Sequence, residues 1–339
     1  MKNAFFATLI IGGEKMCTAI TYRTKDHYFG RNLDLETSYG EKVVITPRNY
    51  SFRYRHSDEI KKHMALIGVG IIVDDYPLYF DATNEAGLSI AGLNFLNNAC
   101  YRECCEGKDN VASFEFIPWV LSRCETIDKA MEILANVNIT NDAFSKNYPP
   151  SPLHWIIADR DKSIVVEQVK DGFKIYDNPV GVLTNNPTFD YQLFNLNNYM
   201  SLSVNPLTNT FCEKLQLENY SRGMGSMGVP GDLSSMGRFV RAVFTKLNSF
   251  SGEGEDESVS QFFHILGAVV QQRGLVRLDD GKYEITVYSS CCNTDKGIYY
   301  YTTYDNSQIN GVDMHKEDLE SQKLISYSLV LKQNPAIMR

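Results

Sequence analysis

The sequence predicts an α+β fold built mainly from antiparallel sheets. Segments rich in β-branched residues come in runs, pairs of helical patterns separate those runs, and strands and helices do not alternate regularly. No linker rich in glycine, serine or charge interrupts the 339 residues, and no internal repeat is present. We therefore expect a single domain.

The first run of predicted strands begins at Cys17 and continues to residue 95. Each strand ends in residues that favour turns, and the segments are CTAITYRT, KVVITP, ALIGVGIIV, YFDATN and GLSIAGLNF. Two helices are predicted next, over 114–124 and 126–137, with Thr126 as the N-cap of the second. We expect both helices to cover one face of a sheet.

A proline-rich segment, YPPSP at 148–152, predicts an extended loop because each proline restricts itself and the residue before it. After this loop, LHWIIAD, SIVVEQV and GFKIYD predict a meander of three strands. Apolar residues at three- and four-residue spacing predict further helices over 236–248 and 258–272. The chain ends in predicted strands, which are YEITVYSSC, GIYYYTTY and the segment 324–331.

The charge balance of 33 basic against 41 acidic residues argues against a nucleic-acid partner, because phosphate binding needs clustered Lys and Arg. The eight cysteines include the adjacent pairs Cys104–Cys105 and Cys291–Cys292, which are poorly placed for simple bridges. We therefore expect free thiols in the reducing cytoplasm of a cell. The cluster of Cys100, Cys104 and Cys105 lacks C-x-x-C spacing and a nearby histidine, so no metal is expected.

Two other motifs are interpreted as structural. The segment GMGSMG at 223–228 matches G-x-G-x-x-G, but no buried strand precedes it and VPGD follows where a helix should begin. It therefore predicts a surface loop and no dinucleotide cofactor. The six histidines include no H-x-x-x-H pair, and His154, within an apolar strand, is expected to be a core residue with satisfied hydrogen bonds.

The N-terminal segment contains an apolar stretch, AFFATLII at 4–11, that is too short to span a membrane. It suits the core of a signal peptide, but GGEKM at 12–16 offers no small-residue cleavage site. The codons for GGEKM form a purine-rich run before an ATG, which resembles a bacterial ribosome-binding site. We therefore predict that Met16 is the initiator and is removed, so that residues 1–16 are absent from a mature domain spanning 17–339. A self-cleaved propeptide is the alternative.

Removal of Met16 would give Cys17 an unusual chemistry. A thiol that attacks an acyl carbon needs a base, and an N-terminal cysteine carries its own, an α-amine with a reference pKa of about 7.7 to 8.0. One residue can then supply both nucleophile and base. Without further information, an ordinary strand cysteine is the competing interpretation.

Five segments connect Cys17 to a known family. They are MCTAITYRTKDHYFGRNLD, NEAGLSIAGLNF, VGVLTNNPTFDYQL, GVPGDLSSMGRFVR and DKGIYYYTTYDNSQI. From Met16 to near the C-terminus, the chain closely resembles the choloylglycine hydrolase family, and in particular its bile salt hydrolases from Gram-positive gut bacteria. The resemblance implies an N-terminal-nucleophile hydrolase fold, a four-layer αββα sandwich with two antiparallel sheets. It also implies a cytoplasmic bacterial homotetramer that needs no cofactor and splits glycine or taurine from conjugated bile salts.

The resemblance assigns roles to residues at matching positions. Cys17 is implied to be the nucleophile, Asp34 to hold its α-amino group, and Arg31 to favour the thiolate and developing negative charge. Without the resemblance, the RNLD segment predicts an exposed ion pair after a turn. Asn185 and Asn94 are implied to stabilise the oxyanion.

Arg238, in GRFVR, matches the family's remaining active-site arginine. The small hydroxyl residue that usually precedes it is Gly237 here, which we expect to loosen the start of the helix. Taken alone, Arg238 would be interpreted as a charge on a solvated helix face.

Two alternatives stay open from the sequence. Penicillin V acylases share the implied fold and nucleophile, but that branch tends to carry tyrosine at the position of Asn94, which favours bile salts. A catalytically silent binding protein would result if Cys17 kept its leader. The loops near HMALIGV, at 63–69, and between Asn136 and Tyr148, with Phe144, are expected to wall an apolar substrate pocket.

Overall fold

The structure, a computed structural model, describes residues 15–338. Residues 1–14, most of the segment predicted to be absent from the mature chain, and Arg339 lie outside the described residues. In chain order the strands are β1 (Cys17–Arg23), β2 (His27–Leu35), β3 (Lys42–Thr46), β4 (Leu66–Val73), β5 (Tyr76–Asn84), β6 (Ser89–Asn94), β7 (Asp109–Ala112), β8 (Val137–Thr140), β9 (Leu153–Ala158), β10 (Ser163–Val169), β11 (Gly172–Asp177), β12 (Val182–Leu183), β13 (Ile285–Asn293), β14 (Ile298–Thr303), β15 (Asn306–Asp313) and β16 (Ile325–Ser328). The α-helices are α1 (Phe116–Leu121), α2 (Ile127–Leu134), α3 (Phe189–Asn195), α4 (Ser235–Asn248) and α5 (Glu255–Gly267).

Two antiparallel sheets form the centre of the fold. One has six strands in the order β12-β1-β2-β13-β14-β15, and the other has eight in the order β11-β10-β9-β6-β5-β4-β3-β16. The predicted meander is the run β9-β10-β11 at one edge of the larger sheet. A separate parallel pair, β7 with β8, was not predicted.

Alternating residues of the larger sheet enter two different cores. Val43 and Ile45 pack between the two sheets, whereas Val44 packs against α1 and α2 on the outer face. Successive strand residues point to opposite faces, so a strand buried on both faces is a continuous apolar run. This explains why segments such as ALIGVGIIV contain no polar alternation.

Helices cover the outer faces of both sheets. Helices α4 and α5 pack on the six-stranded sheet, while α1 and α2 pack on the eight-stranded one. The layers are therefore α, β, β, α, and the predicted α+β class with antiparallel sheets is confirmed. Among the described residues, no helix has the combination of length and apolar character that a membrane crossing requires.

The predicted helices are present with shifted ends. The helices expected over 114–124 and 126–137 are shorter, and Thr126 caps the second as predicted by accepting a hydrogen bond from the Lys129 amide at 3.3 Å. The helix expected over 258–272 begins three residues earlier and ends at Gly267. The expectation that Gly237 loosens the start of α4 is wrong, because the Ser234 hydroxyl accepts from the Gly237 amide at 3.1 Å and caps the helix.

Strand β2 corrects the residue-based interpretation of RNLD. All nine of its residues are buried, so Arg31 and Asp34 are core residues and not an exposed ion pair. Gly30 makes the close pairing possible, since a Cβ there would lie 2.0 Å from the backbone oxygen of Ser290 in β13. Segment 223–228 forms a short 3-10 turn, Met224–Ser226, in a loop, as the surface interpretation predicted.

Candidate active site

Cys17, the predicted nucleophile, is the first residue of β1 and is only 3% exposed. It pairs with Leu33 of β2 and lines a cavity of about 500 Å³. The other walls are mostly apolar or aromatic and include Leu33, Leu35, Ile71, Leu78, Tyr79, Phe80, Leu96, Phe114, Ile117, Phe144, Tyr148 and Trp155. A thiol therefore lies at the wall of a pocket suited to an apolar ligand.

The predicted pocket walls are partly right. Phe144 lines the cavity, and the prolines of the YPPSP loop, 148–152, do so as well. Near 63–69, the described lining includes Ile71 of β4, two residues beyond that segment, and none of the segment's own residues. Residues 65–69 are buried, which leaves them no surface toward a ligand.

The two faces of β2 divide the site. Arg31, Leu33 and Leu35 alternate along the cavity face, as the two-residue period of a strand requires. Asp34 lies on the other face, where its Oδ1 accepts a hydrogen bond from the Thr286 hydroxyl at 2.6 Å. Cys17 is at the strand end, so its thiol faces the cavity while its nitrogen is close to groups on the opposite side.

Arg31 is a fully buried cation beside the thiol. Its Nη1 donates to the backbone oxygens of Phe80 at 3.0 Å and Gly92 at 2.6 Å. Its Nε and Nη2 have no hydrogen-bond partner among the described residues. Burial raises the pKa of the Cys17 thiol above its ordinary value, and the positive charge of Arg31 acts in the opposite direction.

Asp34 is a fully buried carboxyl group next to the start of β1. Its backbone nitrogen donates to the Met16 oxygen at 3.1 Å, and its Oδ2 has no hydrogen-bond partner among the described residues. Burial raises the pKa of Asp34 to about 6, although Arg238 and the Thr286 hydroxyl favour the charged form. The second carboxyl oxygen is therefore an acceptor available to a nearby donor.

Asn185 and Arg238 hold the backbone of Cys17. The Cys17 nitrogen donates to Asn185 Oδ1 at 2.8 Å, and Arg238 Nη2 donates to the same oxygen at 2.6 Å. Arg238 Nη1 donates to the Cys17 oxygen at 2.5 Å and to the Thr18 hydroxyl at 2.7 Å. Arg238 is fully buried, so its interpretation as a solvated helix-face charge is wrong.

Asn94 lies next to Asn185 at the cavity. Its backbone oxygen accepts from Asn185 Nδ2 at 2.8 Å, and its Oδ1 accepts from the Leu96 amide at 3.3 Å. These contacts orient both side-chain amides beside Cys17, and Asn94 lines the cavity directly. All six residues predicted for the site are thus brought together around the start of β1.

Glu284 is a residue near the site that the sequence interpretation missed. It is 2% exposed, and its Oε1 accepts from the Met16 nitrogen at 2.5 Å. Burial is the main cause that raises the pKa of Glu284 to about 8, and the negative charge of Asp34 adds to it. No local signal marks this glutamate, because it contacts Met16 only through the pairing of distant segments.

A second group of chemically active side chains lies outside the cavity lining. The expectation that no histidine is near Cys104 is wrong, since His56 Nε2 is 3.4 Å from its Sγ. The sequence interpretation considered only local spacing, whereas these residues are 48 positions apart. His154 behaves as predicted, fully buried between Glu167 Oε1 at 3.0 Å and the Thr184 oxygen at 2.9 Å.

Comparison with known proteins identifies one family of similar proteins. A model of the linear amide C–N hydrolases of the choloylglycine hydrolase family matches residues 17–327. The bile salt hydrolase/transferase of Lactiplantibacillus plantarum is 58% identical over 314 residues, covering 93% of this chain and 97% of that protein. The bile salt hydrolase/transferase of Clostridium perfringens is 40% identical over 317 residues, covering 92% of this chain and 96% of that protein.

Solved structures show the same fold. A variant of the conjugated bile acid hydrolase of Clostridium perfringens superposes with a TM-score of 0.88 at 38% identity, covering 95% of this chain and 100% of its own. Penicillin V acylase from Agrobacterium tumefaciens, at 21% identity, gives a TM-score of 0.71 over 91% of this chain and 90% of its own. These matches confirm the N-terminal-nucleophile hydrolase fold that the resemblance implied.

Proposed function

This chain belongs to the choloylglycine hydrolase family of linear amide C–N hydrolases, and from that premise we propose that it hydrolyses glycine- and taurine-conjugated bile salts. One observation carries the proposal. Cys17 lies at an apolar cavity beside a buried guanidinium, Arg31, that still has two unused donor nitrogens. A buried cation next to a thiol favours the thiolate, and an apolar cavity suits a steroid.

The first step is exposure of the Cys17 nitrogen. Removal of Met16 frees this nitrogen from its peptide bond, and the new α-amine stays next to Asn185 Oδ1, which accepts from it at 2.8 Å. The Asp34 Oδ2, which lacks a partner among the described residues, is the second acceptor that orients the amine. The amine then removes the thiol proton, directly or through a water.

Attack by the thiolate on the amide carbonyl forms a tetrahedral oxyanion. The side-chain amides of Asn185 and Asn94 stabilise this oxygen, and Arg31 supplies positive charge. The protonated amine of Cys17 passes its proton to the departing nitrogen of glycine or taurine, and a thioester remains. Water hydrolyses the thioester and releases the free bile acid, so protein groups and water supply the whole reaction.

The cavity favours bile salts over penicillin V. Its aliphatic and aromatic walls suit a rigid, largely apolar steroid, and its volume of about 500 Å³ is that of the chain before residues 1–16, with the lining residue Lys15, are removed. Asn94 leaves more room beside the thiol than a phenol would, and its amide is a donor. We expect kcat/KM for glycocholate to exceed that for penicillin V by roughly tenfold or more.

Self-association is part of the proposal. Exposed apolar side chains are concentrated in residues 191–227, and they include Tyr191 at 65%, Phe194 at 73%, Met200 at 82%, Phe211 at 81% and Tyr220 at 82% exposed. A segment this apolar is best explained by burial against further copies of the chain. We therefore propose a homo-oligomer, a tetramer by resemblance, which sedimentation equilibrium tests; a monomer at micromolar concentration would contradict it. The free cysteines support a cytoplasmic location.

Amine release from conjugated bile salts tests the activity. Glycocholate, taurocholate and penicillin V are compared under matched conditions for the natural protein, Cys17→Ser and the exposed control Cys100→Ser. We expect Cys17→Ser to lose at least about a hundredfold in rate, because a hydroxyl ionises far less readily than a thiol, and Cys100→Ser to retain activity. Equal rates for Cys17→Ser and the control, with unchanged circular dichroism, would remove Cys17 from the reaction.

A further inference from the structure

Three side chains with metal-binding atoms converge outside the active-site cavity. His56, Cys104 and Asp142 come from three separate segments, and their ligand atoms all lie within 4.8 Å of one another. His56 Nε2 is 2.6 Å from Asp142 Oδ2 and 3.4 Å from Cys104 Sγ. Imidazole, thiolate and carboxylate are the three ligand types that proteins use for zinc.

The spacing of these atoms is close to that of a tetrahedral zinc site. Ligand bonds of about 2.3 Å to sulfur and about 2.0 Å to nitrogen, at tetrahedral angles, place sulfur and nitrogen about 3.5 Å apart. Cys104 Sγ lies 3.4 Å from His56 Nε2 and 3.6 Å from His56 Nδ1, so the thiol is at the required distance but beside both ring nitrogens, and the imidazole has to turn to share an ion with it. The nitrogen and the carboxylate oxygen need about 3.3 Å, so this pair, now hydrogen-bonded at 2.6 Å, has to open by about 0.7 Å.

The backbone around the cluster is held in place while the side chains stay accessible. Arg55 Nη2 donates to the Phe144 oxygen at 2.6 Å, which ties the segment of His56 to that of Asp142. Asn110 fixes the cysteine loop, since its Oδ1 accepts from the Cys105 amide at 2.9 Å and its Nδ2 donates to the Cys105 oxygen at 2.9 Å. Small rotations of exposed side chains are therefore enough to surround an ion.

A further contact orients the carboxylate. The Thr140 hydroxyl donates to Asp142 Oδ2 at 2.6 Å, in the way that outer-shell partners of metal ligands do. Two effects raise the pKa of the Cys104 thiol. The larger is partial desolvation, and the second is the negative charge of Asp142 and Glu103, which face the thiol.

We propose that His56, Cys104 and Asp142 bind one divalent cation of the zinc class, with solvent at the fourth position. On binding, the thiol loses its proton to solvent and the hydrogen bond between His56 and Asp142 is replaced by two bonds to the ion. The bound ion links the segments of 55–56, 104 and 142, and Phe144, two residues beyond Asp142, lines the active-site cavity. The site therefore supports one wall of that cavity.

Metal titration of the full protein tests this site. Zn²⁺ binding is measured by calorimetry, and Co²⁺ binding by the thiolate-to-cobalt charge-transfer absorption, for the natural protein, Cys104→Ser, His56→Asn and the neighbouring control Cys105→Ser. Every variant retains Cys17, so any ion held by the active-site thiol contributes equally. The substituted side chains are exposed, so the variants should fold normally.

We expect the natural protein and Cys105→Ser to bind the ion with equal affinity. Cys104→Ser and His56→Asn should bind it at least about tenfold more weakly, because even the loss of a hydrogen-bond partner of a metal ligand costs that much affinity. Affinity should fall as the pH is lowered, because the ligands then bind protons. Equal affinity in Cys104→Ser and Cys105→Ser, or no binding to the natural protein beyond that of Cys104→Ser, would overturn the proposal.

Discussion

Blocking the nitrogen of Cys17 should abolish activity even though every other site residue is unchanged. The perturbation replaces residues 1–16 with a cleavable tag whose removal leaves Cys17 as the first residue. Before cleavage the nitrogen of Cys17 is an amide, which cannot act as a base. After cleavage the same polypeptide carries an α-amine at the position where Asn185 Oδ1 accepts from the Cys17 nitrogen.

The size of the effect follows from the protonation states of the two groups. Burial raises the pKa of the Cys17 thiol above its ordinary value, so the thiol has to give its proton to a base before it attacks. An α-amine with a pKa of about 7.7 to 8.0 is about 10 to 17% neutral at pH 7. General-base assistance of this kind is worth about 10²- to 10⁴-fold, so we expect cleavage to raise the rate at least about a hundredfold.

The assay is amine release from glycocholate before and after cleavage, with intact mass confirming each N-terminus. The matched control is a tag whose cleavage leaves one extra glycine before Cys17, which supplies a free amine one residue too far away. We expect this control to stay as inactive as the tagged protein. Comparable rates for the tagged, glycine-extended and Cys17-first proteins would refute the reasoning, because the thiol would then be working without the amine.

Substitutions at Asp34, Arg238 and Glu115 provide three further tests. Asp34→Asn should lower kcat by at least about tenfold with little change in KM, because the amine loses its orientation while the substrate pocket is unchanged. A steady-state measurement in which only KM changes would contradict this role. Arg238→Met should destabilise the fold by about 1.5 to 3 kcal/mol in urea unfolding, because Asn185 and Cys17 lose a buried charged donor, and Arg238→Lys should recover part of the loss. Burial raises the pKa of Glu115 from 4.5 to about 7. The protonated carboxyl therefore contributes fully to the free energy of unfolding below pH 4.5, and this contribution is lost as the pH rises through 7. The difference in unfolding free energy between the natural protein and Glu115→Gln should therefore shift by about 3 kcal/mol across that range, and a constant difference would argue against a buried protonated carboxyl.

The strands that were predicted well are those buried on both faces. In β4 and β9 the apolar runs are long and bounded by turn residues, so composition alone identifies them. Strand β2 was missed from the residues because HYFGRNLDL carries the polar groups of the site within a fully buried strand. The rule that charged residues lie at the surface fails for Arg31 and Asp34, which are buried. The family resemblance, and not the residue pattern, identified these two residues.

Contacts between distant segments were beyond the reach of local patterns. Arg238 is 221 positions from the Cys17 oxygen that it binds, and Glu284 is 268 positions from the Met16 nitrogen. The resemblance named Arg238 because its motif matches, but it offered nothing for Glu284. The convergence of His56 with Cys104 was missed for the same reason, since neither residue has a metal-binding neighbour at a recognised spacing.

The unused hydrogen-bonding atoms point to the same site by a route that does not depend on any relative. Folded proteins pair nearly all buried polar atoms, and charged ones most strictly, because an unpaired buried charge is costly. Among the described residues, the buried charged side chains with such unused atoms are Arg31, Asp34 and Glu167. Glu167 binds His154 and the Phe189 amide, and it is not among the charges that most affect the pKa of the Cys17 thiol, which include Arg31 and Asp34. Arg31 and Asp34 remain, on opposite faces of β2, and the charges of both act on the Cys17 thiol at the start of the neighbouring strand β1. An ordinary strand cysteine would give the fold no reason to keep both charges buried there.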